Sequence, residues 1–148
     1  SQEIGERTTL MGDVTWTGWS VFKDLSVRFD SGQPDSVTEE RWEDSLRYAL
    51  GLSHRLTEEL TLRVGTAFDE TPVKAAYRTP RVPDNNRWWL ALGAGYRFSE
   101  SFAADFGYAH LFISDPDSRL RNKPETGYLV GYYDADVDIF ALQASYYF

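Results

Sequence analysis

The sequence predicts an all-β protein, a transmembrane antiparallel β-barrel, on three observations. Apolar residues recur at every second position in stretch after stretch of about ten residues. The positions between them carry small residues and isolated charges, not a continuous polar face. Aromatic rings bracket each apolar run. A repeat of two is the mark of a strand. Small residues suit a crowded barrel interior, and rings collect where lipid meets water.

The first stretch, "GDVTWTGWSVFKDLSVRF" (Gly12 to Phe29), changes phase midway. Leu10, Val14 and Trp16 are apolar at even numbers, with Asp13 and Thr15 between them. Val21, Leu25, Val27 and Phe29 are apolar at odd numbers, with Ser20, Asp24, Ser26 and Arg28 between them. A one-residue slip at Thr17-Gly18-Trp19 is what a β-bulge produces, and Gly suits the bulged position. The expectation is therefore one long bulged strand from about Thr8 to Phe29. The rival makes "TGWS" a hairpin turn and, with a second break near Tyr133–Asp136, raises about six long strands to eight.

The later stretches hold one phase. Trp42, Leu46, Tyr48, Leu50 and Leu52 alternate with Glu43, Ser45, Arg47, Ala49 and Gly51 up to His54. Leu60, Leu62, Val64, Thr66 and Phe68 alternate with Thr61, Arg63, Gly65 and Ala67. Trp88, Leu90, Leu92, Ala94, Tyr96 and Phe98 alternate with Arg87, Trp89, Ala91, Gly93, Gly95 and Arg97. Phe102, Ala104, Phe106, Tyr108 and Phe112 follow, then Phe140, Leu142, Ala144, Tyr146 and Phe148. A soluble β-sandwich also alternates, but its buried face is packed with branched aliphatics and its other face with water-loving groups.

Loop lengths orient the strands. "RLTEEL" and "FSESF" are short, as periplasmic turns are, whereas "DSGQPDSVTEER", "DETPVKAAYRTPRVPDNN" and "SDPDSRLRNKPET" are long and rich in turn-forming residues, as external loops are. The last strand then runs down, placing the C-terminus in the periplasm of a Gram-negative cell, and the terminal Phe148 looks like an outer-membrane assembly signal.

Composition bounds the rest. At 148 residues the chain is a single domain, 1–148. A net charge of −8 argues against a nucleic-acid partner. The absence of cysteine excludes disulfides and thiolate metal sites. No apolar run approaches the ~18 residues of a membrane helix, and the mean hydropathy is −0.46. No signal-peptide pattern opens at Ser1, so a mature or trimmed chain is expected.

Three segments, "RYALGLSHRLTEELTLRVGTAFDETPV", "YRTPRVPDNNRWWLALGAGYRFSE" and "FGYAHLF", resemble the C-terminal part of the FadL/TodX outer-membrane transporters of long-chain fatty acids and aromatic hydrocarbons. "GDVTWTGWSVFKDL" is similar to that family's approach to this region, and "TPV…RTPRVPDNNR" is the most specific match. The resemblance implies transport of hydrophobic molecules. It also implies a fourteen-stranded barrel with an N-terminal hatch, of which this chain carries only the last strands. A six-stranded sheet left open exposes unpaired backbone groups to lipid. Closure is expected from a second copy, giving a twelve-stranded homodimeric barrel, or from a complementing barrel chain.

Inward positions carry Asp13, Arg47, Arg63, Asp69, Arg87, Arg97 and Asp105. The structural reading is a charge ladder, with Arg97 diagonal to Asp105 across the "FSESF" turn. The functional reading is a cationic site for a fatty-acid carboxylate, with Arg47 and Arg63 foremost because the sequence names no partner for them. Arg87, Trp89 and Tyr147 complete the candidate ligand-binding set, the two rings lining an apolar path with Met11, Leu111 and Ile139. The long loop "DETPVKAAYRTPRVPDNN", from Asp69 to Asn86, reads as a cover over the mouth or as a ligand contact. The acidic "YYDADVD" and "SDPDS" read as solvated loop ends, or as bridges through divalent cations to lipopolysaccharide. His54 and His110 fall on the lipid-facing phase, where snorkelling at the interface explains them. No nucleophile has an inward base, so no enzyme is expected, nor a cofactor or metal site. Two functions remain: a conduit for hydrophobic small molecules, or a minimal structural barrel that transports nothing.

Overall fold

Alternation becomes pairing along most of the chain. The computed structural model describes residues 1–79, 82–114, 117–120 and 129–148. Its strands are β1 (Gln2–Ile4), β2 (Thr8–Thr17), β3 (Asp24–Val27), β4 (Ser36–Glu39), β5 (Ser45–Arg55), β6 (Leu60–Asp69), β7 (Arg87–Arg97), β8 (Phe102–Ile113), β9 (Asp117–Leu120), β10 (Leu129–Tyr132) and β11 (Asp136–Tyr146). One antiparallel sheet takes the order β1-β2-β5-β6-β7-β8-β11, and β3–β4 and β9–β10 form separate two-stranded hairpins. Ten residues at about 3.4 Å each, tilted by about 40°, climb roughly 26 Å, the height of an outer-membrane apolar band.

Register preserves parity throughout the main sheet. Leu52 lies between Leu10 and Val64, and Gly51 between Met11 and Gly65. All even-numbered side chains of the long strands therefore share one face and all odd-numbered ones the other. The even face is apolar and uncovered: Val14, Phe140 and Leu142 are 66%, 71% and 82% exposed. No second sheet packs against it among the described residues, which separates this fold from a sandwich. The odd face is where burial occurs, at Ala67 and Leu111, joined by Val73 from the β6–β7 connection.

The two short turns are built alike. In the β5–β6 turn, Thr57 Oγ1 accepts the Glu59 and Leu60 N–H groups at 3.2 and 3.0 Å. In the β7–β8 turn, Ser99 Oγ accepts those of Ser101 and Phe102 at 3.3 and 3.1 Å. A hydroxyl at the same turn position thus replaces missing ladder bonds. Gly5, at φ +66°, makes the β1–β2 turn at this end of the sheet, and the Arg55 guanidinium donates to Glu6 O there.

The phase slip is not a bulge in one long strand. β2 stops at Thr17, a 3-10 turn occupies Trp19–Val21, and β3 leaves the main sheet to pair with β4. The reason is tertiary. Trp42 packs edge-on against Trp19 and Phe22, with ring centroids 5.2 and 4.9 Å apart. Asp44 accepts the Ser20 N–H at 2.8 Å, and the Trp16 ring lies across Gly18, where a Cβ would come within 3.0 Å of it. "TGWS" is no barrel hairpin either, because β2 pairs with β5 along its full length. Trp42 accordingly precedes β5, which starts at Ser45.

Candidate functional site

The odd face is layered, and the layers can be followed strand by strand. A charged row near the long loops runs Thr15, Arg47, Asp69, Arg87, Ile113. Next comes Asp13, Ala49, Ala67, Trp89, Leu111, Val137, then Met11, Gly51, Gly65, Ala91, Ala109, Ile139. A fourth row, Thr9, Ser53, Arg63, Gly93, Gly107, Ala141, reintroduces charge. Arg63 and Asp69 stand six residues apart on β6, about 20 Å along the strand. Two arginine-bearing rows therefore bound a band of apolar and small side chains.

Each candidate arginine has a carboxylate partner. Arg47 Nη1 lies 3.6 Å from Asp13 Oδ1, and Arg63 Nη1 donates to Asp105 Oδ1 at 2.8 Å. The Arg97–Asp105 pair expected across the turn does not form: Arg97 Nη2 donates to Glu58 O at 2.9 Å. Arg63 reaches Asp105 from β6 because β7 offers it glycines. Its Cβ pairs with Gly93, and a Cβ on Gly95 would sit 2.5 Å from Asp105 Oδ1 and 3.1 Å from Arg63 Nη1. The expectation that Arg47 and Arg63 stand unpartnered thus gives way to a ladder of exposed ion pairs, each worth about 0.2–1 kcal/mol by its exposure.

Arg87 is the most firmly held. Nη2 donates to Asp69 Oδ2 at 3.1 Å and Nη1 lies 3.4 Å from Asp84 Oδ1. Trp89, two residues on, sits between the buried Ala67 and Leu111. Arg87 Nε and Trp89 Nε1 are both shielded from water and have no hydrogen-bond acceptor among the described residues. Tyr147 is remote from them: its N–H donates to Ser101 O at the short-turn end, and its side chain is 62% exposed. The five candidates therefore do not converge. Arg47, Arg87 and Trp89 share the long-loop end, Arg63 lies one band away, and Tyr147 stands at the opposite end.

Sequence reasoning missed the clasp at the neck of the β6–β7 connection. Thr71 Oγ1 donates to Asp84 Oδ2 at 2.6 Å, and Thr71 N–H to Asn86 Oδ1 at 2.9 Å. Asp84 thus ties Thr71 to Arg87, which gives the "TPV…PDNNR" segments a structural purpose. Asp-x-Asn ahead of a strand was the available signal. Val73 of the connection is buried, and residues 80 and 81 lie outside the description. Beside it, Arg41 at φ +44° places its guanidinium 5.4 Å from the Tyr77 ring centre and donates to Glu39, which raises its pKa. The Ser20 hydroxyl and N–H hold the Asp44 carboxylate below the usual aspartate range.

The even face has its own polar contacts. His54 Nδ1 shares a hydrogen bond with Thr8 Oγ1 at 2.9 Å. Tyr108 OH and His110 Nδ1 approach the same oxygen of Asp138, at 2.7 and 2.8 Å. Both histidines thus have polar partners on the face where snorkelling is expected. A hollow of about 520 Å3 is floored by Gly12 and Thr66 and walled by Tyr48, Leu50, Phe68 and Trp88. Among the described residues no cluster of His, Asp or Glu has metal-binding geometry. Of the acidic loop segments, "SDPDS" falls partly on residues 115 and 116, outside the description.

Comparison with known proteins supplies the frame for this geometry. A family model described as outer membrane protein transport protein (OMPP1/FadL/TodX) matches residues 2–148. An outer membrane protein of Neisseria meningitidis serogroup B is 31% identical over 159 residues, 99% of this chain and 34% of the relative. The long-chain fatty acid transport protein of Escherichia coli O6:H1 is 36% identical over 98 residues, 66% of this chain and 22% of the relative. The crystal structure of a Pseudomonas aeruginosa FadL homologue superimposes with a TM-score of 0.89 at 30% identity, covering 97% of this chain and 33% of that one. The chain therefore spans about a third or less of the length of these relatives. With its all-β antiparallel sheet, its uncovered apolar face and a family match over nearly every residue, the chain belongs to the outer membrane protein transport protein family of OMPP1, FadL and TodX.

Proposed function

We propose that this chain forms part of the wall of a Gram-negative outer-membrane barrel that passes long-chain fatty acids or other hydrophobic small molecules. The observation that carries the reading is the division of one sheet into two chemistries. The even face offers lipid a largely apolar surface, and the odd face offers a passenger a band of Ala, Gly, Met, Leu and Ile, with Asp13 at one edge, between two charged rows. An extended apolar molecule slides along that band, while its carboxylate exchanges with Asp105 for Arg63, or with Asp13 for Arg47. Both pairs are exposed enough to exchange. Arg87, Trp89 and Tyr147 line the same face at its two ends. The C-terminus is periplasmic in this reading, since the short turns gather at the end that β11 reaches last.

Closure needs strands beyond the described sheet. β2 and β11 form its edges apart from the three residues of β1, and they run in opposite directions, so an even number of added strands closes the ring. A second copy supplies six in the dimeric form. The third of its relatives that this chain spans favours instead strands from chain equivalent to the remaining two thirds. A twelve-stranded dimer is the outcome if detergent-corrected light scattering returns twice 17.0 kDa for the chain alone.

Uptake tests the reading. Liposomes carrying the intact protein are expected to take up oleate faster than empty liposomes, and Gly65→Trp with Ala91→Trp, which fills the small-residue row, is expected to slow uptake at least ten-fold without preventing insertion. Equal uptake by the filled variant would remove the odd face from the path and favour a barrel with a structural role only.

A further inference from the structure

Two hydrogen-bond donors on the odd face serve no other part of the described protein. Arg87 Nε and Trp89 Nε1 belong to residues two apart on β7, so both side chains stand on the same face of one strand. Neither nitrogen touches water and neither has an acceptor among the described residues. Buried N–H groups are almost always paired, because an unmade bond leaves the desolvation of the donor uncompensated. One such group on a strand is tolerable strain; two on neighbouring same-face positions of one strand are the chemistry that an acceptor oxygen would satisfy.

Resting on the reading above, we propose that Arg87 Nε and Trp89 Nε1 together bind an uncharged oxygen of the hydrophobic passenger, a ketone, ester or ether acceptor. The surroundings select that chemistry. The positive charge of Arg87 is already answered twice, by Asp69 Oδ2 at 3.1 Å and Asp84 Oδ1 at 3.4 Å. Two carboxylates about one guanidinium leave the spot net negative, so a third, on a fatty acid, is repelled, whereas a neutral acceptor is not. The indole body packs in an apolar row against Ala67 and Leu111, the setting for the hydrocarbon next to such an oxygen. Both nitrogens are themselves covered while the Arg87 side chain as a whole keeps 29% of its surface exposed, so a passenger oxygen reaches them by displacing the side-chain atoms above them. This site lies a band away from the Arg63 pair that handles a carboxylate, so the two ends of the wall sort passengers by headgroup.

Trp89→Phe is the sharp variant: it keeps the ring in its apolar row and deletes one N–H that no protein group uses. Binding of radiolabelled 2-hexadecanone and of hexadecane to the intact protein, immobilised in detergent, is measured for wild type and variant. The ketone is expected to bind wild type more tightly than the hydrocarbon. Trp89→Phe is expected to weaken the ketone about ten-fold more than it weakens the hydrocarbon, the worth of one hydrogen bond, since the smaller ring affects both ligands but the lost N–H only the ketone. Arg87→Lys, which keeps the charge and removes Nε, is expected to discriminate the two ligands in the same direction. Equal losses for ketone and hydrocarbon, or no loss for either, would overturn the donor pair while leaving the conduit intact. Wild type that binds neither ligand would overturn the conduit and the donor pair together.

Discussion

Gly95→Ala isolates the contact on which the lower charged row depends. The new Cβ lies 2.5 Å from Asp105 Oδ1, 3.1 Å from Arg63 Nη1 and 3.4 Å from Nη2. Restoring ordinary contact moves Oδ1 by about 0.9 Å, which takes the 2.8 Å hydrogen bond to the edge of its range. The partners are 46% and 39% exposed, so the broken pair costs about 0.2–1 kcal/mol. Alanine in a strand interior regains about 0.5–1 kcal/mol over glycine. The expected net change is therefore close to zero, and only a cycle reveals it. In an Asp105→Ala background the same substitution meets only the movable end of Arg63 and is expected to stabilise by about 0.5–1 kcal/mol, a coupling of up to about 1 kcal/mol. Urea unfolding of protein refolded into short-chain phosphatidylcholine vesicles, followed by tryptophan fluorescence, gives the four free energies. An identical effect of Gly95→Ala in both backgrounds would refute the idea that the glycine exists to let Arg63 and Asp105 meet.

Three further outcomes are expected. Thr57→Ala and Ser99→Ala each remove a hydroxyl that accepts two turn N–H groups; each is expected to cost about 0.5–1.5 kcal/mol, and the double variant their sum, since the turns share no partner. Asp84→Ala unties Thr71 and one arm of Arg87; limited trypsin digestion is expected to cut the β6–β7 connection in the variant well before the strands, and wild-type resistance in the variant would refute the clasp. Asp44, whose pKa is lowered by Ser20, adds stability above the unfolded value of about 3.9 and loses it as pH falls through the lower folded value. Fluorescence of the Trp19–Trp42 pair is therefore expected to change only below about pH 4, and Asp44→Asn to abolish that step.

The two faces were legible in the sequence because side chains alternate along every strand and the long strands hold one phase, so Leu52 and Gly51 fall on opposite sides. The end of β2 was not. A phase slip at Gly18 is compatible with a bulge and with a chain that leaves the sheet, and the choice is made by Trp42 and Asp44, more than twenty residues on. The charge ladder shows the same limit. Short-range geometry offers Arg97 to Asp105, but the partner is Arg63, 42 residues away, because two glycines lower the strand between them. Glycine opposite an arginine was the visible sign. The donor pair at Arg87 and Trp89 left no sign at all, since an unmade hydrogen bond is a property of neighbours and not of residue types.

The division of the sheet into a lipid face and a passenger face is the claim from which the rest follows, and the cysteine-free chain allows it to be tested residue by residue. Single cysteines at Leu90, Ala91, Leu92 and Gly93 of β7, in the intact protein reconstituted into liposomes, carry a nitroxide whose relaxation is measured with oxygen, which concentrates in lipid, and with a water-soluble nickel complex. The account expects oxygen to relax the probe at 90 and 92 and nickel to relax it at 91 and 93. Equal nickel access at all four positions, or oxygen access at 91 and 93, would contradict it.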